Sequence, residues 1–383
     1  MDLSLEAGID RRGTQCLKWD TTPEGVLPMW VADMDFPCAP GILEALRKRL
    51  EHPVFGYTRM SDADKQAIVD YYARRHGMKL CGEEMLFTPG VVDSLLLSVH
   101  ALTAPGDKVL IQSPVYGPFS GVIRRAKREI VENPLVQTAS GRYEMDLADL
   151  DARLAECKLM LLCSPHNPCG RVWERETLQA VLDLCKKHRV PLIADEIHCD
   201  FVFDGRRHVS ALTLDGAETG VAVAVSATKT FNIAGLNHST FLVPDPDLRK
   251  ALSDKANEIG MGGGNLLGVL ATTAAYQTGD EWLEAVKALV VRNRDFAVQA
   301  LREAGAKVYP NEGTYLLWLD LRHLHRGSED LVKDLQETAK VRLNAGTDYG
   351  PLGDGFVRLN LAAPPRLVEE GVGRIAAYLR AQA

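Results

Sequence analysis

The sequence predicts an α/β protein with a large domain on a mostly parallel sheet and a smaller α+β domain. The first observation is a series of short apolar runs separated by helical patterns, at 108–112, 128–132, 158–163, 190–194, 221–226 and 239–243. Several runs are apolar on both faces, which is typical of strands that helices cover on each side. Strands that alternate with helices indicate βαβ units and hence parallel pairing.

The second observation is a change of pattern after residue 275. A long helical pattern at 281–304 leads to short strands and two further helices, at 306–309, 314–320, 328–338, 355–360 and 366–381. The first 40 residues show neither a helical nor a strand period. We therefore expect three parts: an N-terminal arm at 1–40 that belongs to the small domain, a large domain at 41–280 and a small C-terminal domain at 281–383.

Composition and charge exclude several classes of protein. The chain of 383 residues has 44 basic and 51 acidic residues, a net charge of −7 and no long like-charge runs, so we expect neither nucleic acid nor an anionic membrane as a partner. No apolar run approaches ~18 residues and the N-terminus lacks the apolar part of a signal peptide, which predicts a cytoplasmic protein. The eight cysteines form no CxxC pair and no zinc spacing with His, which predicts reduced thiols and no metal site.

Polar residues at strand ends are the third observation, because ligands of open parallel sheets bind beyond the carboxyl ends of the strands. Lys229 follows the run at 221–226 closely, after Ser226, Ala227 and Thr228. Apolar residues before this lysine and small or hydroxylic ones beside it suit a partly desolvated amine, whose lowered pKa frees the nucleophile that Schiff-base chemistry needs. Ser226 and Thr228 could hold a phosphate beside the amine or cap the next helix.

The neighbouring strand ends carry an acid, a histidine and an amide. Asp195 follows the run at 190–194 and could pair with a protonated pyridine nitrogen or cap a helix. For His198, a packing or hydrogen-bonding role is as reasonable as a chemical one. Asn167 lies in a turn signal, Asn-Pro-Cys-Gly, and could also donate its amide to a phenolate-like oxygen.

The remaining strand ends offer an anion site and an aromatic face. Gly90 opens a helix whose first amides, those of Val91 and Val92, would bind an anion. Tyr116 could stack on a flat ring or pack in the core. Each signal is weak alone, but together they predict a pyridoxal 5′-phosphate (PLP) pocket, with phosphate on the helix start, ring on Tyr, ring nitrogen on Asp and aldehyde on Lys. The residues that form this set, in chain order, are Gly90, Tyr116, Asn167, Asp195, Ser226 and Lys229.

These residues also carry a resemblance to a known family. The chain resembles the aspartate-aminotransferase-like, fold-type I PLP enzymes, and within them the cystathionine β-lyase branch of the MalY/PatB kind. The matching stretches are LPMWVADMDFPCAP, HPVFGYT, TPGVVDSL, DKVLIQSPVYGPF, SPHNPCGRVW, ADEIHCDFVF, SATKTFNIAGL, EGTYLLWLDLR and GFVRLNLAAP. They run from residue 27 to 364 and so cover nearly the whole chain.

The resemblance implies a role for each site residue. Lys229 would bond the cofactor aldehyde and act as acid and base at the substrate Cα. Asp195 would pair with the ring nitrogen, Asn167 would bond the ring 3-oxygen and Tyr116 would stack on the ring. The phosphate would be held by the hydroxyls of Ser226 and Thr228 and by the amides of Val91 and Val92.

Two further residues are implied to complete the site. Tyr57 resembles a tyrosine that reaches the phosphate from the neighbouring subunit, so the resemblance implies a homodimer with sites at the interface. Arg358 resembles the arginine that binds the substrate α-carboxylate, a role that suits a planar donor of two parallel hydrogen bonds.

Departures from the aminotransferase pattern favour the lyase branch. Aminotransferases of this family commonly carry an arginine eight residues after the lysine, where Asn237 stands here. They commonly carry a tyrosine near the ring oxygen, where His198 stands here. One departure from the lyase branch is Ala363, where a cysteine is usual.

We therefore expect α,β-elimination from a small thioether of L-cysteine, such as cystathionine, to give a thiol, pyruvate and ammonia. The alternatives are a PLP-dependent aminotransferase and a lyase with a second, regulatory protein-binding role. A nicotinamide-dependent dehydrogenase is disfavoured, because the chain has no GxGxxG followed by an acidic residue after the next strand.

Overall fold

The computed structural model describes residues 5–261, 264–309 and 311–382. Its strands are β1 (Leu27–Pro28), β2 (Met85–Thr88), β3 (Lys108–Ile111), β4 (Glu129–Glu132), β5 (Val136–Gln137), β6 (Tyr143–Glu144), β7 (Leu159–Cys163), β8 (Leu192–Asp195), β9 (Val221–Val225), β10 (Ser239–Leu242), β11 (Lys307–Val308), β12 (Leu316–Asp320), β13 (Val341–Arg342), β14 (Asn344–Ala345) and β15 (Phe356–Asn360). Its helices are α1 (Leu17–Asp20), α2 (Pro40–Leu50), α3 (Asp62–His76), α4 (Val91–Leu102), α5 (Pro118–Arg125), α6 (Leu147–Leu154), α7 (Arg175–His188), α8 (Ala227–Thr230), α9 (Pro246–Glu258), α10 (Leu266–Thr278), α11 (Asp280–Glu303), α12 (Ser328–Asp334) and α13 (Pro365–Gln382).

The larger sheet has seven strands in the order β2-β10-β9-β8-β7-β3-β4. The pairs from β9 to β4 are parallel, whereas β10 is antiparallel to both of its neighbours. The mostly parallel α/β fold predicted from the sequence is therefore confirmed, and each of the six apolar runs overlaps a strand. The sequence did not predict β2, in which Met85 and Thr88 are buried and the two residues between them are partly buried.

Burial of β9 explains why its sequence is apolar on both faces. All five residues of this strand are buried. Its valines belong to one apolar cluster of the core, and Ala222 and Ala224 belong to a second cluster on the opposite side of the sheet. The small alanine side chains allow α4 to pack close to this face, with Leu95, Leu97 and Val99 in the same cluster. This packing holds the start of α4 near the carboxyl end of β9.

The smaller sheet is antiparallel, in the order β11-β12-β15-β14. Successive side chains of β15 point to opposite faces of the sheet. Val357 and Leu359 pack in an apolar cluster with residues of α11 and α13. Phe356, Arg358 and Asn360 lie on the other face, where Phe356 joins the core cluster of the larger sheet. Arg358 and Asn360 are therefore turned towards the larger sheet.

The N-terminal arm differs from the sequence prediction. We predicted neither helix nor strand in the first 40 residues, but α1 and β1 lie there and β1 pairs in parallel with β13. Elements of four and two residues are too short to show a period, which is why the sequence pattern did not predict them. The arm also contacts β15, since the backbone amide of Asn360 donates to the carbonyl of Met29 (2.8 Å). The domain limits stay a prediction.

No helix within the described residues has both the length and the apolar character needed to cross a membrane. All eight cysteines lie in the described residues as free thiols, and six of them are buried. Burial agrees with the interpretation of these cysteines as small apolar residues of the core.

Candidate active site

A cavity of about 210 Å³ lies at the carboxyl ends of β3, β7, β8 and β9. Nine of the predicted site residues line it: Gly90, Val91, Val92, Tyr116, Asn167, Asp195, His198, Thr228 and Lys229. Larger cavities, of about 460 and 700 Å³, lie elsewhere in the described part of the chain and are lined by other residues. The convergence of residues from separate strand ends, and not cavity size, therefore identifies the candidate site.

Lys229 lies in the short helix α8, which follows β9 after a single residue. Its half-buried ε-amine donates a hydrogen bond to the carbonyl oxygen of Ala32 (2.7 Å). Burial lowers the pKa of Lys229 to about 8, and the charge of Arg358 adds to this effect, while Asp33 and Asp195 oppose it. About a tenth of the amine is therefore neutral and nucleophilic at pH 7, far more than for an exposed lysine.

Asp195 is the last residue of β8 and is buried. Its Oδ1 accepts a hydrogen bond from the backbone amide of Ile197 (3.0 Å). Burial raises the pKa of Asp195 to about 7, and the charge of Glu196 adds to this effect, while Ile197 and Lys229 oppose it. A cation placed beside this carboxyl would stabilise its ionised form.

Hydrogen bonds connect the loops after β3 and β7 with β15. The Tyr116 amide donates to the carbonyl of Asn167 (3.0 Å), and Asn167 Oδ1 accepts from Arg358 Nη1 (3.2 Å). Arg358 lies outside the cavity lining, with its guanidinium carbon 5.1 Å from the ring centroid of Tyr349. Its Nε is buried and has no hydrogen-bond partner in the part of the chain that the structure describes, so this guanidinium retains a donor for a ligand. Burial raises the pKa of the Tyr116 hydroxyl.

His198 is buried beside the ring of Tyr315, with 5.6 Å between the two ring centroids. Its pKa is lowered to about 3, first by burial and then by the charges of Lys229 and Arg358. The imidazole is therefore neutral at physiological pH, and its buried Nδ1 has no partner within the described residues. A neutral imidazole in this position can exchange a hydrogen bond with a bound polar ligand.

The structure does not bring Ser226 or Tyr57 into the cavity lining. Ser226 Oγ donates to the carbonyl of His238 (2.6 Å) and accepts from the backbone amide of Thr228 (3.1 Å). These contacts are those of a residue that caps the start of α8. Tyr57 belongs to the segment 53–57, whose residues are all exposed on the surface. Their predicted roles at the phosphate stay predictions.

The sequence predicted no role for Ala32, which lines the cavity and whose backbone carbonyl accepts the hydrogen bond of Lys229. The stretch WVADMDF was part of the family resemblance, but a carbonyl group has no side-chain signature that could single it out. Asn237 also lines the cavity and was noted only as a departure from the aminotransferase pattern. Ala363, the departure from the lyase pattern, is buried outside the lining.

The chemistry of this donor set fits PLP. The first amides of α4 have no carbonyl acceptors within their own helix, which suits a phosphate. A buried carboxyl with a raised pKa suits a protonated ring nitrogen, and a partly neutral amine suits an aldehyde. Two of the buried polar atoms that lack a partner among the described residues lie here: His198 Nδ1 could donate to or accept from a polar ligand, and Arg358 Nε could donate to one.

One cluster of possible metal ligands, His76, Cys199 and Asp200, occurs within the described residues. The Asp200 carboxylate already pairs with His76 (2.9 Å), Arg75 (3.2 Å) and Thr230 (2.8 Å). Burial alone would raise the pKa of Asp200, but these partners lower it below its usual range. A positive guanidinium beside this carboxylate accounts for its charge without a metal ion.

The aminotransferase class I and II family matches this sequence over residues 25–375. The chain belongs to that family. Within it, cystathionine beta-lyase PatB of Bacillus subtilis (strain 168) is 40% identical, over 97% of this chain and 98% of that protein. Protein MalY of Escherichia coli (strain K12) is 35% identical, over 97% of this chain and 98% of that protein. The resemblance to the cystathionine β-lyase branch is therefore confirmed.

Solved structures of the family give the same result. Cystalysin from Treponema denticola, whose crystal structure contains a PLP cofactor, is 30% identical and superposes with a TM-score of 0.96 over the full length of both chains. The aspartate-aminotransferase-like fold predicted for this member of the aminotransferase class I and II family is thus confirmed.

Proposed function

We propose that this protein is a PLP-dependent carbon–sulfur β-lyase that acts on L-cystathionine or a related S-conjugate of cysteine. The observation that carries this function is the half-buried, partly neutral amine of Lys229 in one cavity with the buried Asp195. The relatives named above support the cystathionine class of substrate. Asn237 and His198 support elimination over amino transfer, because both positions depart from the aminotransferase pattern.

Residues at the ends of five strands, β2, β3, β7, β8 and β9, would hold the cofactor. The amides of Val91 and Val92 and the hydroxyl of Thr228 would bind its phosphate. Asp195 would accept a hydrogen bond from the ring nitrogen, Asn167 would bind the ring 3-oxygen and Tyr116 would stack on the ring. His198 would contact the polar edge of the ring from its buried position. Lys229 would bond the aldehyde.

The remaining residues would bind the substrate and move its proton. Bound PLP would act as an electron sink that stabilises negative charge at the substrate Cα. Arg358 would bind the α-carboxylate through its guanidinium and so direct the Cα–H bond towards Lys229. Lys229, as a neutral amine, would then remove the Cα proton. The Cβ–S bond would then break, the sulfur would leave as a thiol with the proton that Lys229 returns, and one water would be consumed as the remaining fragment becomes pyruvate and ammonia.

The test is a product assay on the PLP-loaded enzyme with cystathionine, cystine, S-methylcysteine and alanine, with and without an added oxo acid. We expect equal amounts of thiol and pyruvate from the thioethers without any oxo acid, because elimination needs no second substrate. Alanine, which has no leaving group at Cβ, is the matched control and yields no thiol. Amino transfer that depends on the oxo acid, without release of thiol, would instead support the aminotransferase.

We further propose that the active form is a homodimer. The support is the exposed apolar surface of Val54, Phe55 and Tyr57, since such a patch is typical of an interface. Tyr57 would reach the phosphate in the neighbouring subunit, as the family resemblance implies. Two copies of one chain would then share each site.

The dimer proposal predicts a specific effect of Tyr57→Phe. This change removes one hydroxyl and leaves the ring, so we expect PLP affinity to fall by ~10- to 100-fold while the dimer remains, because a hydrogen bond to a charged group contributes about 1.5–3 kcal/mol. The measurements are absorbance titration with PLP and sedimentation at a series of protein concentrations. Full activity in a monomer at the lowest concentration would contradict the proposal.

A further inference from the structure

Side chains of the smaller sheet hold the arm at successive carbonyl groups beside the cavity. Arg358 Nη2 donates to the carbonyl of Trp30 (2.6 Å). Asn360 Nδ2 donates to the carbonyls of Val31 (2.7 Å) and Asp33 (2.6 Å). Asn360 Oδ1 accepts from the amide of Ala362 (2.8 Å), which fixes the orientation of its side-chain amide. The carbonyl of residue 32 thus lies between two carbonyls that one side chain holds.

The carbonyl oxygen of Ala32 accepts two hydrogen bonds. Lys229 Nζ is 2.7 Å and the Tyr315 hydroxyl is 3.1 Å from this oxygen. Tyr315 is fully buried, and its ring lies edge-on to His198 (5.6 Å between centroids) and Phe201 (4.9 Å between centroids). This packing leaves the hydroxyl little freedom, so its direction towards Ala32 is defined by the fold.

We infer that the carbonyl of Ala32 is the docking point of the free ε-amine of Lys229, and that Tyr315 and Asn360 are positioning residues that hold this carbonyl in place. The inference rests on the proposed role of Lys229, which is a free amine before it bonds the cofactor and again while it moves a proton at the substrate. A free amine in a cavity needs an acceptor that keeps it near the reacting atom. A backbone carbonyl supplies one without adding a charge.

The two positioning residues have opposite effects on the charge of the amine. The Tyr315 hydroxyl shares the acceptor with Lys229, and its hydrogen lies near the ammonium, so it disfavours the charged form. Asn360 keeps the carbonyl in reach, and so it favours the charged form. Neither side chain is charged.

Four titratable or charged groups also act on the amine: Asp33 on the arm, Asp195 on β8, His198 after β8 and Arg358 on β15. Replacing Tyr315 or Asn360 with a neutral residue leaves the charges of all four unchanged. Asn360→Ala can also shift Asp33, whose carbonyl Asn360 holds, whereas the Tyr315 hydroxyl bonds the carbonyl of Ala32 itself. A change in the pKa of Lys229 in Tyr315→Phe is therefore the result that reports on the carbonyl of Ala32.

The experiment measures the pKa of Lys229 in the full chain without cofactor, from the pH dependence of its labelling by an amine reagent, read at this residue by mass spectrometry. Tyr315→Phe is expected to raise the pKa by about half a unit and Asn360→Ala to lower it by a similar amount, since a neutral hydrogen bond has an effect of this order. Tyr72→Phe is the matched control, because Tyr72 is buried and its hydroxyl bonds Tyr276 (2.9 Å) instead. We expect no shift in that variant.

Shifts of opposite sign support the docking point. An unchanged pKa in Tyr315→Phe, or shifts of the same sign in both variants, would overturn it, and if Asn360→Ala does not fold, Tyr315→Phe alone decides. A second readout is the acid limb of the kcat–pH profile of the loaded enzyme, which should move with the labelling pKa while KM stays constant. The labelling needs neither substrate nor turnover, so a failure of the proposed lyase activity would leave its result interpretable.

Discussion

Replacing Lys229 with Ala is expected to lower kcat/KM for thiol release by ~10⁴-fold or more, because one side chain is proposed both to bond the cofactor and to move the Cα proton. The measurement combines thiol and pyruvate release with borohydride reduction of the loaded protein, followed by mass spectrometry of the residue 229 peptide. The parent should retain reduced cofactor on this peptide, and the variant should not. Lys250→Ala is the matched control, since Lys250 is exposed and pairs only with Asp254 within the described residues.

The same variant should fold without its cofactor. The pKa of Lys229 in the folded protein is about 8, below the ordinary value of 10.5, so the unfolded chain binds the extra proton between these values. The contribution of this group to the free energy of unfolding therefore rises as the pH goes from about 8 to 10.5, and it is lowest below pH 8. We expect the melting temperature of cofactor-free Lys229→Ala at pH 7 to be no lower than that of the parent. Reducible cofactor on another residue, with elimination at the parent rate, would contradict the assignment.

Replacing Asp195 with Asn is expected to lower kcat by ~10²–10³-fold, because a neutral amide cannot stabilise the positive ring nitrogen on which the electron sink depends. The side-chain oxygen of Asn can still accept from the amide of Ile197, so the local turn is retained. The measurements are steady-state kinetics and absorbance titration with PLP.

The matched control for Asp195→Asn is Glu196→Gln. Glu196 is a buried carboxylate next in the chain, but it pairs with His208 (2.9 Å) and accepts from the amide of Ala211 (2.7 Å), away from the cavity lining. We expect this variant to lose stability and to retain the absorbance of the bound cofactor. Equal loss of cofactor affinity in both variants would contradict the role of Asp195.

The pKa of Asp195 also predicts how stability changes with pH. Its value in the folded protein is about 7, above the ordinary value of 3.8, so the folded protein holds a proton that the unfolded chain has lost between these values. The contribution of this group to the free energy of unfolding therefore falls as the pH rises from 3.8 to about 7. Without cofactor, Asp195→Asn should melt above the parent at pH 8, and the difference should disappear near pH 4.

Lys229, Asp195, Asn167 and Tyr116 could be predicted from the sequence because each follows the end of an apolar run closely. The carboxyl ends of parallel strands meet at one edge of a sheet, so local strand assignments already bring these side chains together. For Ser226 the sequence could predict the position but not the direction of the hydroxyl group. Its position after β9 is evident from the sequence, but its hydroxyl donates to the carbonyl of His238, which immediately precedes β10 and is brought there by the sheet.

The sequence alone determined the fold class, the strand ends and the residue types of the candidate site. The spacing of apolar residues and the polar residues that follow each strand are local properties of the chain, so neither depends on tertiary contacts. Only the tertiary structure decided the contacts between distant segments. Arg358 bonds Asn167 across 191 residues of sequence, and Lys229 bonds Ala32 across 197. Both faces of β15 are buried, so its pattern could not show which face turns towards the cavity. A backbone carbonyl such as that of Ala32 is identical in every residue, and only packing gives it a role.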